Sequence, residues 1–179
     1  LPAHWCIVRV SMIPKTVGSQ RPISIAELCW QVTMTVALSQ VQDWVELWCP
    51  AALIGGLKHR SAAEAHDAMQ EALSQARNFD VHIAGAKIDI QKCYDTVRVQ
   101  QAVALLRQLG APPGLCDAIA SFYKQHRRWI ESRGAAATNA LVCLRGLLQG
   151  CPLSAILLAA LMAVWARAVA AEGVHVQVY

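Results

Sequence analysis

A long charge-free stretch from Cys151 to Ala166 limits what this chain can fold into. Pro152 near its start is typical of the first turn of a helix, and Arg167 interrupts the stretch. A helix that spans a membrane needs roughly 20 consecutive apolar residues, and much of this stretch is alanine. We therefore expect a helix from Cys151 to about Ala171 that is buried in a core, with no membrane span.

The composition is that of one folded domain. The chain has 179 residues, of which 55% are hydrophobic and 16% charged, and this excludes a disordered polar chain. Its formal net charge of +4 permits a nucleic-acid partner without requiring one. The seven cysteines include no pair at metal-binding spacing, so we expect reduced thiols in an intracellular protein. No signal peptide is recognisable, and both ends resemble interior positions of a longer protein.

Hydrophobic spacing and turn residues predict an α+β domain, in which helices alternate with a few strands. Strands are expected over residues 5–13, ending at Pro14, over 81–90 and after Val174. A hairpin is expected with arms at 130–132 and 140–145. Helices are expected over residues 25–47, 61–78 and 97–109, from Pro113 onward, and over 151–171.

The segment Lys87–Val97 carries the most chemistry. Apolar residues precede Asp89, which comes at the end of the expected strand, and Tyr94 follows five positions later. A carboxylate held on a stiff element suits a divalent metal, which prefers oxygen ligands. The alternative is that Asp89 caps a turn and Asp95 caps the next helix.

Two further segments join this one in a family resemblance. Gly146–Ser154 (GLLQGCPLS) and Lys87–Val97 together resemble the palm of a reverse transcriptase, most closely the retroelement type without long terminal repeats. Ile13-Pro14-Lys15, with Gly18 and Arg21–Ile25, resembles the start of that family's fingers. The three segments come in the family's order and cover essentially the whole chain. Val174–Tyr179 resembles the strand before the next motif, an aromatic, a variable residue and two aspartates, and the chain ends on its aromatic.

This resemblance implies an α+β right-hand polymerase fold with fingers and a partial palm, an antiparallel palm sheet backed by helices, and no thumb. Residues 1–80 would be a fingers-like region, and residues 81–97 the palm strand with the first catalytic motif. Residues 98–145 would form fingers and palm helices with a hairpin. Residues 146–179 would form a palm loop, a helix and a truncated strand.

The resemblance also implies a metal site and a sugar gate. Asp89 matches the family's first metal-binding aspartate, and the backbone carbonyl of Ile90 would add a second oxygen ligand, with Mg²⁺ as the cofactor of two-metal phosphoryl transfer. Tyr94 matches the bulky residue that excludes a ribose 2′-hydroxyl. Its alternative role is core packing, with the hydroxyl satisfied by a neighbour. Asp95 matches a structural position rather than a ligand.

Gln149 and Gly150 match the loop that approaches the nucleotide and the template base. Lys15 and Arg21 match positions that hold the incoming triphosphate, because guanidinium and ammonium groups bind phosphate oxygens. The alternative is two solvated loop charges. The chain departs from the family at two positions where proline is common, which carry Leu148 and Ala155 instead.

A basic group with an interleaved aromatic residue is compatible either with a track for a phosphate backbone or with an ordinary solvated helix end. Its members are Lys124, His126, Arg127, Arg128, Trp129 and Arg133.

The implied function is a fragment of an RNA-directed DNA polymerase, with an RNA template, a DNA primer and deoxynucleoside triphosphates as partners. We expect this piece to be inactive alone, because one carboxylate cannot hold two metal ions against a triphosphate. One alternative is a catalytically dead retroelement remnant with weak nucleic-acid binding. Another is an Ala-rich membrane or scaffold protein whose motif matches are chance.

Overall fold

The computed structural model describes residues 1–16, 19–132, 134–143 and 145–178. Gly18, Arg133 and Tyr179, which the sequence singled out, lie outside these ranges. Within them the chain is an α+β domain with one four-stranded sheet and seven α-helices, preceded by a short 3-10 helix over Ala3–Cys6. The predicted fold class is confirmed at this level.

The sheet is mixed. Its strands are β1 (Ile7–Thr16), β2 (Ser19–Ala26), β3 (Arg127–Ser132) and β4 (Ala135–Ala136), in the order β2-β1-β3-β4. The β1–β2 and β3–β4 pairs are antiparallel, whereas β1 and β3 run parallel. The expected end of the first strand at Pro14 is wrong, because β1 continues to Thr16. The pairing register shifts between Pro14 and Thr16, and such an irregularity accommodates a residue without an N–H.

The helices largely follow the predictions. They are α1 (Leu28–Gln40), α2 (Gln42–Trp48), α3 (Ala62–Asn78), α4 (Cys93–Thr96), α5 (Val99–Gln108), α6 (Pro113–Gln125) and α7 (Pro152–Ala171). The single helix expected over 25–47 is divided at Val41, and β2 occupies the chain up to Ala26. At the start of α3 the Ser61 N–H donates to the Glu64 carboxylate at 2.8 Å. This closes half of a capping box.

The core lies between the sheet and helices α1, α5, α6 and α7. Val8 and Val10 of β1 face it, and α7 packs against both α1 and α5. Trp30 of α1 stacks on Phe122 of α6 with ring centroids 3.9 Å apart. By length and composition α7 could also cross a membrane. Here one of its faces is buried, as expected, and small residues let its neighbours approach: Ala159, Ala160, Ala163 and Ala166.

Three strand predictions are wrong. Residues 81–90 are irregular and solvent-exposed throughout, because a strand needs a partner for its backbone hydrogen bonds and no described residue pairs with this segment. Near the end of the chain, Val178 makes a single parallel bridge with Leu53. The second arm of the hairpin is β4 rather than residues 140–145, where Leu141 makes one bridge with Arg128. The sheet therefore comes from residues 7–26 and 127–136, and the expected antiparallel palm sheet is absent from the described residues.

Candidate functional site

The loop Gly146–Gly150 brings the three resembling segments together. The Ser24 N–H of β2 donates to the Gln149 carbonyl at 2.7 Å. On the other side, the Leu147 N–H donates to the Tyr94 carbonyl at 2.7 Å, and the Gly146 N–H donates to the Val97 carbonyl at 2.9 Å. Backbone hydrogen bonds therefore fix this loop between the β1–β2 hairpin and residues 94–97.

Both glycines of the loop are required by its close contacts. Gly150 has φ +108°, and a Cβ there would lie 2.6 Å from the Ser24 carbonyl oxygen. Gly146 has φ +89°, and a Cβ there would lie 3.1 Å from the Asp95 carbonyl oxygen. Only a residue without a side chain combines this backbone conformation with such close approach. Close packing is therefore a sufficient reason for glycine at both positions.

Asp89 and Ile90 lie in the exposed irregular segment that leads into α4. Asp89 is close enough to Cys93 to contribute to the raised pKa of that thiol, of which burial is the larger cause. Within the described ranges no group of three or more His, Cys, Asp or Glu side chains could hold a metal. Asp89 and the Ile90 carbonyl are oxygen donors of the kind Mg²⁺ prefers. They are too few to form a complete site.

Tyr94 lies in α4, half-buried against the core. Burial, and to a smaller extent the nearby Cys93, raises the pKa of its phenol. The residue is partly accessible to solvent, and its backbone carbonyl accepts a hydrogen bond from Leu147 of the loop. This position is compatible both with a gate beside a ligand and with core packing.

Lys15 and Arg21 are both exposed on the β1–β2 hairpin. Arg21 pairs with Ile13 across the two strands, and Lys15 falls within the register irregularity. The hairpin therefore presents two cations to water on the same element whose Ser24 contacts the loop. Both proposed roles, phosphate binding and simple solvation, agree with this exposure.

A buried contact from α6 and α7 also reaches the loop, and sequence reasoning missed it. The Leu148 N–H donates to the Tyr123 hydroxyl at 3.2 Å, and the Ser154 hydroxyl donates to the Leu148 carbonyl at 2.7 Å. Tyr123 and Ser154 are 3.2 Å apart at their oxygens. Burial is the main reason that the pKa of Tyr123 is raised to about 12. The helical spacing that places Tyr123 on the inner face of α6 was the available signal.

Two members of the basic group face inward rather than toward solvent. His126 is 2% exposed, and its Nδ1 lies 2.8 Å from the Tyr123 carbonyl. Arg128 donates from Nε to His126 Nε2 at 3.0 Å and from Nη2 to the Gly146 carbonyl at 3.1 Å. Burial argues against the phosphate-track interpretation for His126, whereas Arg128 is half-buried and already bonds within the protein. Lys124 and Arg127 are exposed.

Comparison with known protein families gives a match over residues 13–179 to the family described as reverse transcriptase (RNA-dependent DNA polymerase). A search among curated proteins found no match. The matched range contains the β1–β2 hairpin from Ile13, the Asp89–Tyr94 segment and the Gly146–Gly150 loop, the elements that the structure joins by hydrogen bonds at the loop. This chain belongs to the reverse transcriptase (RNA-dependent DNA polymerase) family.

Proposed function

We propose that this chain forms the nucleotide-binding part of a retroelement RNA-directed DNA polymerase of the type without long terminal repeats. It would act in the transfer of a deoxynucleoside monophosphate to a primer on an RNA template. The primer 3′-oxygen would bond to the α-phosphorus, pyrophosphate would leave, and the hydroxyl proton would pass to solvent or a base. The observation that supports this proposal is the position of the Gly146–Gly150 loop. Backbone hydrogen bonds join it to Ser24 on one side and to residues 94–97 on the other.

The expected substrate-binding residues would each have a separate role at the incoming nucleotide. Lys15 and Arg21 are solvent-exposed cations on the hairpin, where they would hold the triphosphate. Gln149 and Gly150 would approach the nucleotide and the template base. Tyr94 would limit the space beside the sugar, so that a ribose 2′-hydroxyl clashes with the ring.

Asp89 and the Ile90 carbonyl are the candidate ligands for Mg²⁺. When bound, Mg²⁺ would neutralise charge on the triphosphate and favour deprotonation of the primer hydroxyl. Two oxygens are too few for two metal ions, so a two-metal site would need further oxygen ligands. Without such ligands these residues would not polymerise.

The assignment of palm and fingers is part of the same proposal. Residues 81–97 and 146–179 would be palm, residues 1–80 fingers, and residues 98–145 would carry helices and a hairpin of both. Exposed apolar and β-branched residues before the carboxylate favour a strand in this segment once it has a pairing partner: Val81, Ile83, Ile88 and Ile90.

Substitution of Asp89 tests the metal assignment. In a chain that extends through the expected double aspartate and thumb, Asp89→Ala should lower primer extension at least about a hundredfold, because a charge-stabilising group at the reacting phosphate is lost. Binding of the primer–template duplex, measured by fluorescence anisotropy, should be nearly unchanged. Asp95→Ala removes a second exposed carboxylate from the same segment and should retain extension. Normal extension by Asp89→Ala would show that the metal assignment is wrong.

Substitution of Tyr94 tests the sugar gate independently. Tyr94→Ala should raise ribonucleotide incorporation relative to deoxynucleotide incorporation by about tenfold or more, because the steric exclusion is removed. Tyr94→Phe keeps the ring and should keep the discrimination. Equal discrimination by all three proteins, measured as the ratio of kcat/KM values, would leave core packing as the role of Tyr94.

A catalytically dead remnant with at most weak nucleic-acid binding is the second candidate. The observation that favours it is the irregular, unpaired course of residues 81–90 around Asp89, together with Leu148 and Ala155 where proline is common. The coding sequence after Tyr179 discriminates between the two. Two aspartates followed by a thumb-like helical region favour the polymerase, and an immediate stop codon favours the remnant.

A further inference from the structure

We propose that Tyr123 and Ser154 are positioning residues that fix the Gly146–Gly150 loop at Leu148, where the family commonly has the rigid ring of proline. Arg128, itself oriented by His126, fixes the same loop at Gly146. The link from loop position to nucleotide binding rests on the proposed function. The positioning of the loop does not.

The hydrogen bonds around Leu148 form a closed circuit whose direction is determined by its members. A backbone N–H can only donate, so the Tyr123 oxygen accepts from Leu148 at 3.2 Å. Ser154 spends its single hydroxyl hydrogen on the Leu148 carbonyl at 2.7 Å, so it accepts from Tyr123 at 3.2 Å. Each hydroxyl therefore donates once and accepts once, and both backbone polar groups of Leu148 are bound.

The circuit depends on a residue at position 148 that has an N–H. Proline would restrict φ, but it could not donate to Tyr123. Leu148 keeps the donor and its side chain is fully buried. Ser154 and Tyr123 are 1% and 8% exposed, and polar groups so buried cost free energy unless they are bonded. The two hydroxyls thus take over the restraint that a proline ring would supply.

The second restraint acts two residues earlier. Arg128 Nε can only donate, so His126 Nε2 accepts and its Nδ1–H donates to the Tyr123 carbonyl. This neutral tautomer holds the guanidinium so that Nη2 reaches the Gly146 carbonyl at 3.1 Å. Tyr123 therefore connects both restraints, through its hydroxyl to Leu148 and through its carbonyl to His126.

Amide hydrogen exchange of the intact chain tests the positioning. Tyr123→Phe removes one oxygen and keeps the ring, and Ser154→Ala removes the other member of the circuit. Each should raise exchange at residues 146–151 by about tenfold or more, with little change in α5, because a buried circuit is opened locally. Ser39→Ala is the matched control, since that exposed hydroxyl bonds only to its own helix at Val36. Arg128→Met should raise exchange at residues 146–147, and the exposed Arg127→Met should not.

The outcomes separate this proposal from the proposed function. Exchange at residues 146–151 equal to that of Ser39→Ala, or raised only in proportion to the rest of the chain, would overturn the positioning role. Tyr123→Phe should raise amide exchange at residues 146–151 in the unmodified protein. The same substitution should have no such effect in Leu148→Pro, because proline already lacks the N–H that donates to Tyr123. This pair of results would support the positioning role. Binding of dATP then tests the link to the nucleotide. If the unmodified protein does not bind dATP, the proposed function fails and the exchange result still decides the positioning.

Discussion

Gly150 is the residue at which the candidate site tolerates change least. A Cβ at this position would meet the Ser24 carbonyl oxygen at 2.6 Å, and the φ of +108° is itself unfavourable for any other residue. We expect Gly150→Ala to lower the free energy of unfolding by about 2 kcal/mol or more, through strain and overpacking against β2. Urea denaturation measures the change.

Gly114 supplies the matched control for this prediction. It lies near the start of α6 with nothing within 4 Å of an added Cβ, so Gly114→Ala should be neutral or slightly stabilising. Equal stability of the two variants would mean that Gly150 is not in close contact with β2.

Single residues were predictable where the signal is local. The capping interaction of Ser61 and Glu64 depends on two residues three positions apart, and its bond from the Ser61 N–H to the Glu64 carboxylate is present. His126 and Arg128 were not predictable in this way. In the sequence they are simply basic residues beside Trp129. Arg128 lies on the inward side of β3 because of the pairing of β3 with β1, and the sequence does not indicate that pairing.

At the scale of elements, helices followed from the sequence more closely than strands, of which only β1 and part of β3 were predicted. A helix satisfies its backbone within one segment, so apolar spacing was enough to predict α5, α6 and α7 closely. A strand is defined by its neighbour, and residues 81–90 have the apolar composition of a strand without a described partner. Helical spacing also places Met69 and Leu73 on one face of α3, as a buried face would have them, yet both are exposed.

The contact between α1 and α6 gives the prediction at this scale. Trp30 is fully buried and stacks on Phe122 with an interplanar angle of 5°. Trp30→Ala should lower the free energy of unfolding by about 3–5 kcal/mol, because it removes a large buried side chain and leaves a cavity. Val32→Ala, on the exposed side of the same helix at 54% exposure, should cost far less. Chemical denaturation of both variants measures the difference, and similar losses would mean that α1 packs through its other face.

For the whole molecule, the same core stabilises the fold and contacts the candidate site. Helix α7 packs against α1 and α5, and its first turn supplies Ser154 to the Gly146–Gly150 loop. The segment order along the sequence predicted that these parts belong to one site. It could not predict that buried Tyr123 of α6 and half-buried Arg128 of β3 bond to the loop, so loop geometry and global stability are coupled.

That coupling predicts a pH dependence of folding. Burial, and then the positive charges of Arg128 and Arg127, lower the pKa of His126 below its ordinary value of 6.5. When the pH falls below 6.5, His126 becomes protonated in the unfolded chain while it stays neutral in the folded chain. The folded state therefore loses stability by up to about 1.4 kcal/mol per pH unit, until the pH reaches the lowered pKa, below which the loss levels off. Urea denaturation at about pH 7.5 and about pH 5.5 measures it. His126→Gln keeps an acceptor for Arg128 without titrating, so it should flatten this part of the profile. If the stability of His126→Gln changes with pH as steeply as that of the unmodified protein, the imidazole is already accessible to protons in the folded protein. Arg128 would then bond to Gly146 without a neutral histidine to orient it.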